Sequence, residues 1–145
     1  MTPSPACAAL IQGFEQCRLS AYLPTPRDRW TVGWGETGPE IGPGTRWTQE
    51  AADASFALRL RRLGAAVTGF LTAPTTQNQF DAMVSLAWNI GLGALAASTL
   101  LRLHNAGDFA AAAHEFARWN KQGGVALAGL TRRRQAEAAL YQETA

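Results

Sequence analysis

Residues Gly13–Gly38 read GFEQCRLSAYLPTPRDRWTVGWGETG: one acid, Glu15, ahead of a loop, and then a strand punctuated by glycine. Backwards from Glu15 the periodicity is helical, which sets the acid in a last helical turn. A carboxylate there opposes the helix dipole, and a residue held against local preference marks a functional position. Forwards, Trp30, Val32 and Trp34 alternate with Thr31, Gly33 and Gly35. This period-two pattern gives a strand one large apolar face and one nearly bare face. Bare strand glycines let a ligand approach the backbone, or else mark a bulge or tight bend. Gly33 and Gly35 are therefore expected to contact substrate, with a bend as the alternative. The loop between helix and strand holds one further carboxylate, Asp28, between Arg27 and Arg29, and Glu36 follows the strand.

Outward from this stretch the chain divides simply. Ser4 as cap and Pro5 at the first position predict a helix over residues 4–16. GPEIGPG supplies turns after the strand. Thr48 then caps a helix of roughly two dozen residues, ~35 Å long. Ala52, Phe56, Leu60, Leu63, Val67 and Phe70 recur along it at spacings of three and four. The remainder is helical. Phe80, Met83, Val84, Ala87 and Trp88 form a stripe that stops at Gly91, and further helices start at Ser98, Asp108 and Thr131. The pattern predicts an α+β fold in one domain, residues 1–145. An N-terminal helix (1–17) leads into a β lobe (18–47), a connecting helix (48–71) and a helical lobe (72–145). A cleft would lie between sheet and helical lobe, with Glu15 at its edge.

Thirteen Lys+Arg against eleven Asp+Glu leave a net charge of +2, too small an excess to indicate a nucleic-acid partner. Lys121 is the single lysine, and arginine suits bidentate contact with carboxylates and phosphates. Cys7 and Cys17 would stand ~15 Å apart on a helix, too far for a disulfide, so both are expected free. No ligand cluster suggests a metal. The N-terminal residues show no basic leader followed by an apolar run, so no signal peptide or membrane anchor is expected.

FEQCRLSAYLP and TVGWGETG together resemble the signature of the phage-type lysozymes, the family 24 glycoside hydrolases. In that family a helix ending in Phe-Glu leads to Cys-Arg-Leu-x-Ala-Tyr, an aspartate, and Thr-Ile-Gly-Tyr-Gly-His-Thr. QFDAMVSLAWNIG, STLLRLHNAGDFAAAAHEFARWNKQGG and GLTRRRQAEAALY are similar to its C-terminal lobe, in order, so the resemblance covers about residues 6–142. It implies a lysozyme-like fold, with Glu15 as the general acid and Thr31 as the threonine that holds the attacking water. The family's aspartate does not carry over: Pro24 stands at its position, and the loop to Thr31 is one residue longer than the pattern. Asp28 is the expected replacement, with Thr25 and Glu36 as alternatives. Glu36 also replaces the family's histidine. The resemblance further implies that one arginine of TRRR, Arg132 or Arg133, pairs with Glu15 or lines the cleft, the third facing solvent. Trp88 and Trp119 are expected to pack helices. Asn89 and Gln79 are expected on the glycan side or in the core.

The implied activity is hydrolysis of the β-1,4 bond between N-acetylmuramic acid and N-acetylglucosamine in peptidoglycan, with inversion and without metal or organic cofactor. A monomer is expected, held in the host cytoplasm and reaching the wall through a membrane pore. Two alternatives stay open. A lytic transglycosylase needs only Glu15, and a glycan-binding module that has lost its aspartate needs no acid at all. Retention of Glu15, Thr31 and the bare strand speaks against the module.

Overall fold

The structure, a computed structural model, describes residues 1–143; residues 144 and 145 of the expected helical lobe lie outside the described residues. Helix α1 spans Pro5–Phe14, and Ser4 caps it by accepting from the Cys7 N–H. Glu15 is not in its last turn. It is the C-cap, extended at φ −89° and ψ 154°, with only its N–H still bonded back to Ile11. Leaving helical geometry there turns the side chain out of the column of the helix.

Strands β1 (Arg18–Tyr22), β2 (Thr31–Gly33) and β3 (Glu36–Thr37) form an antiparallel sheet in that order. The register of β1 on β2 shifts between Arg18 and Tyr22. The outer edge of β1 also takes up the chain near Arg46, where Trp47 N–H donates to Leu19 O and Ala21 N–H to Thr45 O, both at 2.8 Å. The expected strand through Gly35 is in fact a tight hairpin. Gly33 (φ +64°) and Gly35 (φ +98°) adopt left-handed backbone that side chains rarely tolerate. A Cβ on Gly33 would sit 2.7 Å from Glu36 Oε2 and 3.1 Å from the Trp47 ring. The bareness at Gly33 thus serves close packing within the lobe.

Helix α2 spans Gln49–Phe70, with the Thr48 hydroxyl accepting from Ala51 N–H at 3.0 Å. It buries Ala52, Phe56, Leu60, Gly64 and Val67. Gly64 is a surprise of the pattern. A Cβ there would lie 2.5 Å from the Pro3 ring, so the N-terminal segment seats on it.

Helix α3 (Gln77–Ile90) departs most from expectation. In place of one stripe, every residue from Gln79 to Ala87 is buried. It is the axle of the helical lobe, and a helix covered all round reads as apolar on several faces. Its two deepest polar side chains are partnered. Asp81 accepts from Ser4 N–H at 3.2 Å and from the Ser4 hydroxyl, and Ser85 donates to Glu137. A carboxylate so placed helps to fix the start of α1, with Gln77 Nε2 completing its shell at 2.8 Å.

Around α3 pack α4 (Leu92–Ala96), α5 (Thr99–Asn105), α6 (Phe109–Glu115), a 3₁₀ turn (Phe116–Trp119) and α7 (Ala128–Gln142). Ser98 and Asp108 cap as the sequence predicts. Helix α7 starts three residues before Thr131, whose hydroxyl instead accepts from Asn120 Nδ2 at 3.0 Å and donates to Leu127 O. Just ahead of it a second hairpin, β4 (Lys121–Gln122) with β5 (Val125–Ala126), turns through Gly123 and Gly124. Phe80, Met83, Leu86, Leu100 and Phe116 fill the core at no more than 1% exposure. Burying each such side chain contributes roughly 1.5–3 kcal/mol, which is how a helix set carrying buried charge stays folded.

Candidate active site

Glu15 opens onto a cavity of about 530 Å³. Phe14 from the end of α1, Asn89 from the end of α3, Gln122 from the second hairpin, Leu127 at the cap of α7, and Arg132 and Arg133 from α7 line it as well. The Glu15 side chain is 27% exposed, and Arg133 Nη1 donates to its Oε1 at 2.9 Å. Of the two arginines expected near the acid, Arg133 makes the ion pair and Arg132 is exposed on the cavity wall. The third, Arg134, does not face solvent. It is 1% exposed, because the helical step from Arg133 turns it into the lobe.

Arg133 and Arg134 share one buried carboxylate, Glu137. Arg133 Nε meets Glu137 Oε2 at 3.3 Å, and Arg134 Nε meets Oε1 at 2.6 Å. Arg134 Nη2 also donates to Oε2 at 3.0 Å. Arg133 Nη2 donates to the Ser85 carbonyl at 3.2 Å. The two guanidinium groups join the carboxyl groups of Glu15 and Glu137 into one connected chain, and pairing with Glu137 is what permits Arg133 and Arg134 to lie at such depth. Burial pushes the Glu137 carboxyl above the ordinary range and Arg134 below it, while their mutual attraction works against both shifts. The i,i+3 and i,i+4 spacing of Arg134 and Arg133 to Glu137 was the sequence signal for this chain. Nothing local told that it was buried.

Thr31 and Asp28 come together elsewhere. With Pro24, Arg27, Arg29 and Thr37 they line a depression of about 430 Å³, which shares no lining residue with the Glu15 cavity. Thr31 is buried, and its hydroxyl donates to Arg29 O at 3.0 Å, leaving oxygen lone pairs free to accept. Asp28 is exposed, and its Oδ2 accepts from the Thr25 hydroxyl at 2.9 Å. Among the described residues neither Arg27 nor Arg29 ion-pairs with it. Gly33 and Gly35 line neither depression.

Glu36 has a different occupation. It is 5% exposed, and its Oε1 accepts from Arg59 Nη1 at 2.9 Å. Arg59 in turn lies over the Trp88 ring, 4.3 Å from its centroid. Glu36 therefore ties β3 to α2. Trp88 packs on Phe56 with ring centroids 4.9 Å apart, as a helix-packing tryptophan should. Gln79 belongs to the capping box of α3, and Asn89 stands at the cavity wall. Cys7 and Cys17 are both free thiols; burial pushes the Cys7 thiol up to about 12. Among the described residues no cluster of His, Cys, Asp and Glu is set to hold a metal ion. No described helix is long and apolar enough to cross a membrane.

Comparison with known proteins places this arrangement. The family model described as phage lysozyme matches residues 12–137. The endolysin of Bacillus phage B103 is 41% identical over 142 residues, which is 97% of this chain and 54% of that protein. The chain thus spans about half the length of that relative. The endolysin of Acyrthosiphon pisum secondary endosymbiont phage 1 is 40% identical, with 92% of each chain covered. Among solved structures, the muramidase domain of SpmX from Asticaccaulis excentricus superposes with a TM-score of 0.89 at 37% identity, covering 99% of both chains.

Proposed function

The chain belongs to the phage lysozyme family, and we propose that it is a muramidase acting on bacterial peptidoglycan as one lysozyme-like domain. The bond cut is the β-1,4 link between N-acetylmuramic acid and N-acetylglucosamine. The observation that carries this reading is Glu15 itself. It is an extended C-cap carboxyl, partly exposed at the mouth of a cavity and held in one orientation by a nearly buried arginine. A rigid carboxyl at a cavity mouth can deliver a proton to a glycosidic oxygen, the step on which cleavage depends. Arg133 fixes where that proton goes, and Glu137 fixes Arg133.

The second half of the reaction falls to water. Thr31, its hydroxyl hydrogen committed to Arg29 O, presents lone pairs that can accept from a water. Asp28, in the same depression, is the group available to take the water's proton. Attack from the face opposite Glu15 inverts the sugar carbon. Gly33 and Gly35 enter as the bend that carries Thr31 rather than as direct contacts. Arg132 is the cationic group left to meet the polymer. The protein would act as a monomer and without a cofactor. It would wait in the host cytoplasm and reach the wall through a pore.

Product chemistry tests the proposal. Purified peptidoglycan digested by the protein is expected to yield reducing muramic acid ends. Anhydro ends, lighter by one water (~18 Da in mass spectrometry), would arise if the muramic acid's own 6-hydroxyl attacked C1 in place of water while Glu15 protonated the leaving oxygen; their predominance would replace hydrolysis by transglycosylation. Glu15→Gln keeps the side chain's shape but not its proton and is expected to lose at least ~10²-fold in rate. Near-native lysis by that variant would end the enzymatic reading.

A further inference from the structure

Asn89 lines the cavity of Glu15 and is exposed there, yet its amide is not free to turn. Arg134 Nη1 reaches it at 2.8 Å. A guanidinium has only donors, so the Asn89 atom that meets it must be Oδ1. The opposite orientation would set an NH₂ against a cation. Arg134 is itself fixed, by Glu137 through Nε and Nη2 and by the Trp119 carbonyl at 3.2 Å. The other Asn89 terminus, Nδ2, finds no acceptor among the described residues. It is left on the exposed side with two hydrogens to donate.

We propose that Asn89 is a specificity residue of the cavity: its Nδ2, aimed by Arg134, donates to the acetamido carbonyl of an N-acetylated sugar. This rests on the reading of the cavity as a glycan site. Among the neutral acceptors a wall glycan presents, an amide carbonyl is the strongest, and it recurs on every sugar. Once a sugar covers Asn89 and displaces the water there, a ligand that accepts from Nδ2 is favoured over one that leaves it unpaired. Arg133 and Arg134 are consecutive residues bound to one carboxylate. The proton donor Glu15 and the amide donor Asn89 are therefore set by adjacent positions of α7, and the acetamido contact would align the sugar with the acid.

The test is Asn89→Asp, which keeps the shape and the bond to Arg134 but turns the outward atom from donor to acceptor. Its binding to purified wall is compared with binding to the same wall chemically de-N-acetylated, by sedimentation, alongside wild type and Asn89→Ala. On acetylated wall Asn89→Asp is expected to weaken binding about tenfold or more, with KM rising more than kcat falls. On de-N-acetylated wall, whose free amines can donate to a carboxylate, the loss should vanish or reverse. Asn89→Ala should lose on acetylated wall without gaining on the other. Asn89→Asp binding of acetylated wall within threefold of wild type, or equal losses on both walls, would overturn the proposal. Should wild type bind but not cut, the split in binding would still decide the role of Asn89, and only the enzymatic reading would fall.

Discussion

Asp28 is the residue whose proposed role most needs a test, because the resemblance puts Pro24 where a carboxylate is expected. Its only described side-chain partner is the Thr25 hydroxyl, a weak tether on an exposed turn. If Asp28 takes the water's proton, Asp28→Asn should approach the loss of Glu15→Gln. A loss below about threefold, under ~1 kcal/mol of barrier, in steady-state lysis would remove it from that role. Thr31→Ala, with Glu15 untouched, is then the variant to read: losing the water's seat should cost on the order of 10–10²-fold. Gly33 shows that a bare position can have a packing reason of its own. The bare position suggested room for ligand, and the space a side chain would take there is filled by Glu36 and Trp47. Gly33→Ala should therefore destabilise by about 1–3 kcal/mol in urea unfolding, through positive φ and contact with Glu36.

Between elements, the Glu36–Arg59 pair fastens the β lobe to α2. Glu36 Oε2 is buried with no hydrogen-bond partner, so removing the arginine leaves a carboxylate with nothing to balance it. Arg59 is more than a third exposed, which lowers the cost below that of a fully buried pair. Arg59→Leu should lose about 1–3 kcal/mol by chemical denaturation, and adding Glu36→Gln should restore much of it. An additive double variant would show that the two side chains do not work as a pair. Elements whose signals are local were legible in the sequence: the caps at Ser4, Thr48, Ser98 and Asp108 each bond as capping residues do. The sheet of the β lobe was legible for the same reason. What escaped depends on contacts distant in sequence. Helix α3 looked like a one-sided stripe, because small residues such as Ala82 and Ser85 carry no periodic signal when every face is covered. The second hairpin has strands of two residues each, too short for period-two patterning, yet it supplies Gln122 to the cavity. Thr131 looked like a cap because it precedes a charged helical run, but α7 had already begun. At the site, Glu15 and its arginine came through the family signature. The Glu137 and Arg134 network did not, since spacing shows that charges can pair and not that they are buried.

On the scale of the whole molecule, the helical lobe is closed by His104 of α5. Its Nε2 meets the Thr75 hydroxyl at 2.8 Å, and its Nδ1 meets the Tyr141 hydroxyl at 2.6 Å. One imidazole thus joins α5 to the segment before α3 and to the far end of α7, with the Phe109 ring 5.1 Å away. His104 is fully buried, and burial holds its pKa below the ordinary 6.5. The sign follows from which state takes the proton first. Well above about pH 6.5 the imidazole is neutral whether the chain is folded or not, and it contributes no pH dependence. As pH falls through that value the unfolded chain binds a proton while the folded chain does not, so stability declines. The decline continues until the folded-state pKa is passed, with a slope of up to about 1.4 kcal/mol per pH unit. Thermal unfolding followed from pH 7.5 to 5 should therefore show a falling midpoint in wild type. His104→Gln, which keeps hydrogen-bonding capacity without titrating, should start lower at pH 7.5 but fall less steeply. Parallel curves for the two proteins would mean that the acid sensitivity of the fold lies elsewhere, and that the closing contact of the lobe is stable with a charged imidazole.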